Sequence, residues 1–320
     1  MKIVCIGNIT YDVTVIGEKF IKEGGKSSFN NATFTVGGPA SNAASVISKF
    51  NKDNKNIIDF YGQIGNDTNG KFVYEQLVKE KINMKHINIK SNFLTPFSFI
   101  IANKSNSTRT ICSLRSPDDF NNPNIENIDY DNNYDYILTD GKYVNNTIEL
   151  IQKNPQAITI IDAGRVNDGV LKLCHIVDYV ICSDEFASEL TGIQMGTEEN
   201  DFIVYNKLKR MFKDAKGITI TVGSRGYICE YDNQIVVNPA FLLDKPAIDT
   251  NGAGDIFHGA FTHALASGYS YHDSLKFANI TAALSTTKVG GRNSCPELGK
   301  VEKYFNDNLD LGGPTKILRK

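Results

Sequence analysis

A surplus of charge of either sign is missing from this chain. Its 34 lysines and arginines nearly balance 36 aspartates and glutamates, giving a formal net charge of −2. That balance excludes a bulk electrostatic attraction for nucleic acid or for an anionic membrane, and the scattered lysines read as a solvated surface. No apolar run approaches the roughly 20 residues of a transmembrane helix. Met1-Lys2 leads straight into "IVCIG", too short for the apolar region of a secretory leader. The six cysteines include no C-x-x-C pair, and most sit in apolar runs such as "YVICSD" and "GYICEY". This disfavours a zinc site or a disulfide framework and fits reduced, buried thiols. The five histidines show no metal-ligand spacing. His258 and His263, five apart, do not share a helix face and are expected to be structural or solvent-facing. There is no internal repeat and no low-complexity linker. These absences leave a cytoplasmic globular protein whose 320 residues form a single domain, 1–320, with a large core.

What is present is an alternation of short apolar runs and helical patterns. Strands are predicted at Lys2–Ile6, Ile57–Tyr61, Tyr136–Thr139, Ala157–Asp162, Tyr179–Cys182 and Gly217–Val222. Continuous β-branched runs separated by helices predict a mostly parallel sheet covered on both faces. Two stretches break the rhythm, Asp12–Ile16 with Phe29–Val36 and Pro96–Ala102 with Thr108–Leu114. They read as strand pairs without a helix between them, forming a small antiparallel lid from about 12–36 and 93–116. A hairpin follows over Ile218–Val237, with turns at "GSRG" and "DN".

Two nucleotide motifs are nearly present. "GNDTNGKF" (65–72) approaches a P-loop, but Phe72 stands where a hydroxyl is needed. "CIGNITYD" lacks the G-x-G-x-x-G of a dinucleotide-binding fold, which argues against a dehydrogenase. The informative segment is "DTNGAGDIFHGAFTHALASG" (249–268). Ile256, Phe257, Ala260, Phe261, Ala264 and Leu265 make the apolar stripe of a helix ending near Gly268. Glycines at its mouth let backbone amides turn toward a ligand, and the helix dipole favours an anion, above all a phosphate. A carboxylate there, Asp255, would repel that anion unless it has chemical work. It can accept the proton of a hydroxyl attacking a phosphoryl group, with the helix N-terminus holding it ionised. The plainer reading makes Asp255 a capping residue.

"DTNGAGDIFHGAF" resembles the C-terminal signature of the ribokinase/PfkB carbohydrate kinases. "VGGPASNAA" (36–44) is similar to the family's sugar-binding signature, "GNITYD" (7–12) to its first strand end, "TVGSRG" (221–226) to its nucleotide loop, and "FANITAALSTTKVGGRNSCP" (277–296) to the helix and loop framing the adenine. The five occur in family order along nearly the whole chain. The resemblance implies a ribokinase-like three-layer α/β/α sandwich with a mostly parallel central sheet and a small antiparallel β lid. In this family G-x-D-x-x-G belongs to the sugar half, so "GNDTNGKF" becomes a loop-to-helix transition. Asn66, Asp67 or Thr68 would cap the helix, and Phe72 would enter the core.

Carried over residue by residue, the resemblance makes Asp255 the catalytic base and the amides of Asn251, Gly252, Ala253 and Gly254 the anion hole. Asp12, Gly38 and Asn42 would hold the sugar. Thr221, Gly223, Ser224 and Gly226 would line the nucleotide, with Asn279 near the adenine. Asp249, Asn251, Ser285, Gly290 and Ser294 match positions around a monovalent cation such as K⁺, mostly through backbone carbonyls. Arg109 on the lid and Arg165 after a strand end are candidates for a phosphate or acidic group. ATP and Mg²⁺ are the implied cofactors. The family's N-x-x-E motif is replaced by "SDEF" (183–186), where Asp184 or Glu185 would supply the carboxylate. "DAGR" with "VDYVICSDEFASELTG" leans toward the ketohexokinase-like branch. The leading expectation is a sugar kinase, dimeric through its open-edged lid. Two rivals remain: a nucleoside kinase with Phe34, Phe97 and Phe99 making a slot for the base, and a non-turning-over sensor of sugar or nucleotide.

Overall fold

The apolar runs become strands because β-branched residues dominate them, and both faces of each central strand find a helix layer. In the computed structural model, residues 1–17, 21, 23–103, 108–116, 123–126, 128–131, 133–307 and 315–319 are described. The first third contains β1 (Lys2–Ile6), β2 (Thr10–Gly17), β3 (Ala32–Gly37), α1 (Pro39–Phe50), β4 (Ile57–Gly65), α2 (Thr68–Lys79), β5 (Asn83–Lys90), β6 (Phe97–Asn103) and β7 (Thr108–Leu114). The middle holds β8 (Tyr136–Thr139), α3 (Val144–Lys153), β9 (Ile158–Ala163), α4 (Asp168–Cys174), β10 (Tyr179–Ser183), α5 (Asp184–Thr191), α6 (Glu198–Met211) and β11 (Gly217–Thr221). The rest comprises β12 (Tyr227–Tyr231), β13 (Gln234–Asn238), α7 (Ala253–Ala266), α8 (Tyr271–Ser285), α9 (Leu298–Asn306) and β14 (Lys316–Ile317).

The main sheet has the order β14-β13-β12-β11-β10-β9-β8-β1-β4-β5. From β5 to β11 all neighbours are parallel, and β12 to β14 extend the sheet antiparallel. Alternation along the strands sorts the core. Ile3, Cys5, Leu138 and Ile160 pack with α1, α7 and α8, whereas Val4, Ile6, Ile161 and Ala163 face the opposite helix layer. The predicted fold class is therefore present. The strand β5 was not anticipated, since "NMKHINIK" is more polar than its neighbours; it forms the sheet edge beside β4.

The small sheet runs β3-β2-β6-β7, with antiparallel outer pairs joined by a parallel β2–β6 pairing. Tyr11 stacks on Phe34 and Phe97 and meets the edge of Phe72 on α2, which fastens the lid to the body. Asp67 caps α2 through Gly70 N at 2.7 Å, so the near-P-loop is a helix start. Of the cysteines, only Cys112 on β7 is exposed, and none is in a disulfide among the described residues.

At the N-terminal edge of the sheet the histidine reading needs correcting. His86 lies with Asp59 and Asp131, their ligand atoms within 4.8 Å of one another. These residues are far apart in the chain, so local spacing could not reveal them. Lys2 and Lys85 each approach Asp131 at 2.6 Å and hold its carboxyl well below the usual range. Buried Asp59 accepts from Tyr134 Oη at 2.7 Å and Asn83 Nδ2 at 2.6 Å. The group is a salt-bridge network clamping β1, β4 and β5 to Asp131, Asn133 and Tyr134.

Helices α1 and α7 cross where glycine removes the side chain between them. A Cβ on Gly259 would stand 2.6 Å from Ala43 O and 2.8 Å from Val46 Cβ. Gly259→Ala gains about 0.5–1 kcal/mol of helix propensity but overpacks the crossing by about 1–3 kcal/mol. The expected outcome is a net loss of about 1 kcal/mol, measured as a lower urea midpoint with unchanged slope.

Candidate active site

The strands of the parallel sheet end on one edge, and the residues that end them make the site. Gly7 and Asn8 follow β1, Asp140 follows β8, Asp162 lies near the end of β9, Ser183 ends β10 and Thr221 ends β11. This is the edge at which open α/β sheets meet their ligands. The N-termini of α1 and α7 point at it.

Asp255 is in the first turn of α7, and Asn42 Nδ2 on α1 donates to its carboxylate at 2.6 Å. Burial, then the neighbouring charges of Asp162 and Asp140, push its carboxyl up to about 7, while the Asn42 bond and His258 pull it down. The expectation that the helix N-terminus holds it ionised meets an opposing effect here. Desolvation and two carboxylates outweigh the dipole, which is worth only about 0.3–1 kcal/mol at a typical helix end. Asp140 is pushed up to about 6, chiefly by burial, although it accepts from the amides of Asn8 at 2.7 Å, Lys142 at 3.0 Å and Ala40 at 3.3 Å. Burial also raises Asp162, against the pull of His258. The His258 ring lies beside Asp162: Nδ1 is 2.7 Å from Gly254 O and 3.4 Å from Asp162, and Nε2 is 3.4 Å from Ile181 O. Both His258 and His263 are buried; neither faces solvent.

Of the four amides expected to form an anion hole, Asn251 to Gly254, two are engaged within their own loop. The Asn251 amide donates to Asp249 Oδ1 at 2.9 Å and the Ala253 amide turns back to Thr250 O at 3.3 Å. Among the described residues the amides of Gly252, Gly254 and Asp255 have no partner. Gly252 takes a left-handed φ of 72°, and a Cβ on Gly254 would meet nothing within 4 Å. These amides fit an anion such as a phosphate.

On the lid side, Asp12 accepts from Thr10 Oγ1 at 2.6 Å. Burial raises its carboxyl, opposed by hydrogen bonds from Thr10 and Ser98 and by the Arg292 charge. Gly37 leaves room for it, since a Cβ there would stand 1.8 Å from Asp12 Oδ2. Gly38, at φ 103°, precedes α1. Asn42 Oδ1 is buried with no partner, an acceptor left for a ligand hydroxyl. Strand alternation puts Tyr11, Phe34, Phe97 and Phe99 on the face opposite Asp12 and Ser98. The aromatic slot imagined for a nucleoside base is thus not beside Asp12.

Further along the edge, Thr221 Oγ1 donates to Cys182 O at 3.3 Å, Gly223 and Ser224 are exposed, and Gly226 turns tightly at φ 95° against Asn238 and Pro239. Asn279 Nδ2 donates to Pro239 O at 2.9 Å, which brings α8 to the same loop. Asp249 joins two loops, accepting from Asn251 N and, at 2.9 Å, from Gly290 N. The Ser285 and Ser294 hydroxyls donate to Ala282 O and Gly291 O. Ser183 caps α5 through Phe186 N, leaving Asp184 half-buried and Glu185 exposed in the first turn.

Residues 1–298 match the pattern of the pfkB family carbohydrate kinases. The chain belongs to that family. As a pfkB family carbohydrate kinase it transfers a phosphoryl group to a sugar hydroxyl. It is 25% identical over 298 residues to the ribokinase of Haemophilus influenzae, covering 91% of this chain and 94% of that one. It is 24% identical over 326 residues to the ATP-dependent 6-phosphofructokinase of Thermoanaerobacterium thermosaccharolyticum, covering 92% and 94%. Among solved structures, a putative ribokinase from Agrobacterium tumefaciens superposes with a TM-score of 0.84 at 20% identity, covering 96% and 98%. Arabidopsis thaliana ribokinase complexed with ribose and ATP gives 0.75 at 21% identity, covering 95% and 98%. The lean toward ketohexokinase-like kinases finds no support among these relatives.

In this pfkB family kinase the two arginines singled out from sequence, Arg109 and Arg165, are exposed and have no ion pair among the described residues. The arginine the fold buries is Arg292, bonded to Val36 O, Ser45 Oγ and Glu80. Asp140 and Asp162 were also passed over. The strand-end rule that drew attention to Arg165 applies to both, since "ILTD" and "IIDA" end β8 and β9.

Because folded Asp255 holds its proton more tightly than the unfolded chain does, its stabilising contribution is full below the ordinary carboxylate range and is lost as pH rises through about 7. Asn42→Ala removes a bond that favours the ionised form. Carboxyl-carbon NMR of Asp255 is expected to show titration moved upward by about one pH unit, or ~1.4 kcal/mol; a midpoint that stays put would show that Asn42 does not tune it.

Proposed function

We propose that the protein is an ATP-dependent carbohydrate kinase in which Asp255 takes the proton of a sugar hydroxyl as that oxygen attacks the γ-phosphoryl group. One observation carries the reading: the Asp255 carboxyl, held by Asn42 at 2.6 Å, sits in the first helical turn that also offers amides unpartnered among the described residues. A base with a pKa near the working pH is suited to proton transfer, and fixed amides stabilise charge on the phosphoryl group without reorganising. Asp12 and the free Oδ1 of Asn42 would hold the sugar, Gly38 shaping the turn between them. Thr221, Gly223, Ser224, Gly226 and Asn279 would line the nucleotide. Asp184 or Glu185 would hold Mg²⁺, which neutralises phosphate charge, through its water shell. The carboxylate and hydroxyls of Asp249, Ser285 and Ser294 are turned inward on their own loops, so K⁺ would be held by backbone carbonyls between Asp249–Asn251 and Ser285–Ser294. Arg109 and Arg165, if they serve, do so only after a substrate or lid movement brings a phosphate to them.

Asp255→Asn is expected to lower kcat by about 10²–10⁴ with ADP affinity retained, read as ADP release against ketoses, aldoses, sugar phosphates and nucleosides. Wild-type kcat/KM should rise about tenfold per pH unit up to about 7 and level above it. Undiminished turnover in Asp255→Asn sinks the mechanism. Activity only on nucleosides would favour a nucleoside kinase, and ligand-induced stabilisation without turnover would favour a sensor.

The lid edges carry exposed apolar residues, Phe34 on β3 and Ile111 and Leu114 on β7. A second copy pairing lid to lid would cover them. Sedimentation should then give a dimer that Leu114→Lys dissociates; a monomer at all concentrations removes the idea.

A further inference from the structure

A cavity of about 380 Å³ opens between the C-terminal ends of α1 and α2 and the segment 292–295. That volume is within the range of small-molecule pockets, about 300–1,000 Å³. Five cationic side chains line it, Lys49, Lys52, Lys79, Lys81 and Arg292, against one carboxylate, Glu80. Glu80 is already engaged by Arg292 and by the Ser45 hydroxyl at 2.5 Å. Lys49 pairs with Glu297 at 3.0 Å, and Lys81 reaches Asn54 Oδ1 at 3.3 Å. Lys52 and Lys79 have no ion pair among the described residues. Lysines commonly complement the negative ends of helices, which accounts for Lys49 and Lys79 in the last turns of α1 and α2. It does not account for Lys52 and Lys81 beyond those turns, nor for Arg292 arriving from a distant segment.

We infer that this cavity binds the phosphate group of a small phosphorylated molecule, at a place separate from the proposed transfer site. Clustered ammonium groups act as point-charge phosphate ligands, and the Arg292 fork adds directional donors at the inner wall. The cavity is also wired to the sugar side. Arg292 donates to Val36 O, just before Gly37 and Gly38, and to Ser45, one turn along α1 from Asn42. It lies close enough to lower the Asp12 carboxyl, and its neighbours Gly290 and Ser294 belong to the loop tied to Asp249. A bound phosphate competes with Glu80 for Arg292, so its occupancy bears on the β3–α1 turn and on Asp12.

The test is calorimetric titration of inorganic phosphate and, separately, glycerol 3-phosphate into protein saturated with a non-hydrolysable ATP analogue, at constant ionic strength. Saturable binding is expected in the wild type, weakened at least about tenfold in Lys52→Ala/Lys79→Ala and retained in Lys52→Arg/Lys79→Arg. Both lysines are exposed, so the fold should tolerate either pair. Equal affinities for the two ligands identify the inorganic ion as sufficient; tighter glycerol 3-phosphate binding identifies an ester. Absence of saturable binding, or affinity unchanged in the alanine pair, overturns the proposal. Binding of the ATP analogue and sugar turnover are read separately, so failure of the kinase mechanism would not be mistaken for failure of this site.

Discussion

The close crossing of α1 and α7 at Gly259 is the constraint on which the site depends. Two helices from opposite ends of the chain approach until backbone meets backbone, and their N-termini then converge at the sheet edge. Only at that separation does Asn42 reach Asp255 at 2.6 Å. A glycine in a helix interior costs about 0.5–1 kcal/mol in propensity, a cost offset here by packing on both helices. The crossing buries α7 from Ile256 onward and leaves its first turn, Ala253 to Asp255, open at the sheet edge.

Electrostatically the site is held out of balance. Asp140, Asp162 and Asp255 stand together with no lysine or arginine paired to them among the described residues and only His258 beside Asp162, and burial pushes each one up. A fold selected only for stability would not gather them, because like charges in a desolvated pocket repel. Asp140 also has a plain architectural task, tying three backbone amides from β1, α1 and its own loop. His258 lies 3.4 Å from Asp162 and binds the Gly254 carbonyl, so it braces the same turn whose amides face outward. Contrast the opposite edge of the sheet, where Lys2 and Lys85 neutralise Asp131 and the charges serve only to hold strands.

The lid meets the body through aromatic packing on one face and carries its polar residues, Asp12 and Ser98, on the other. Period-two alternation makes that division unavoidable: once Tyr11 is committed to Phe72, Asp12 must face the other way. Arg292 lies beneath this arrangement, fastening the end of β3 to α1 and α2.

The sequence by itself determined most of the central strands, the layered fold and the helix that begins at the glycine-rich turn, and it singled out Asp255 as the candidate base, because these rest on local periodicity and on glycine and aspartate at a helix mouth. The family resemblance, rather than periodicity, turned the near-P-loop into a helix start, and Asp67 caps it. Strand β5 escaped notice because an edge strand buries one side only. Tertiary structure alone decided which amides remain free, since Asn251 and Ala253 spend theirs on Asp249 and Thr250, partners visible only once the loop is folded. It also decided that Asp255 holds its proton near neutrality, that Arg292 and not Arg109 or Arg165 is buried, and that Asp140 and Asp162 join the site. Those are questions of proximity and desolvation between segments distant in the chain, and no local pattern encodes them.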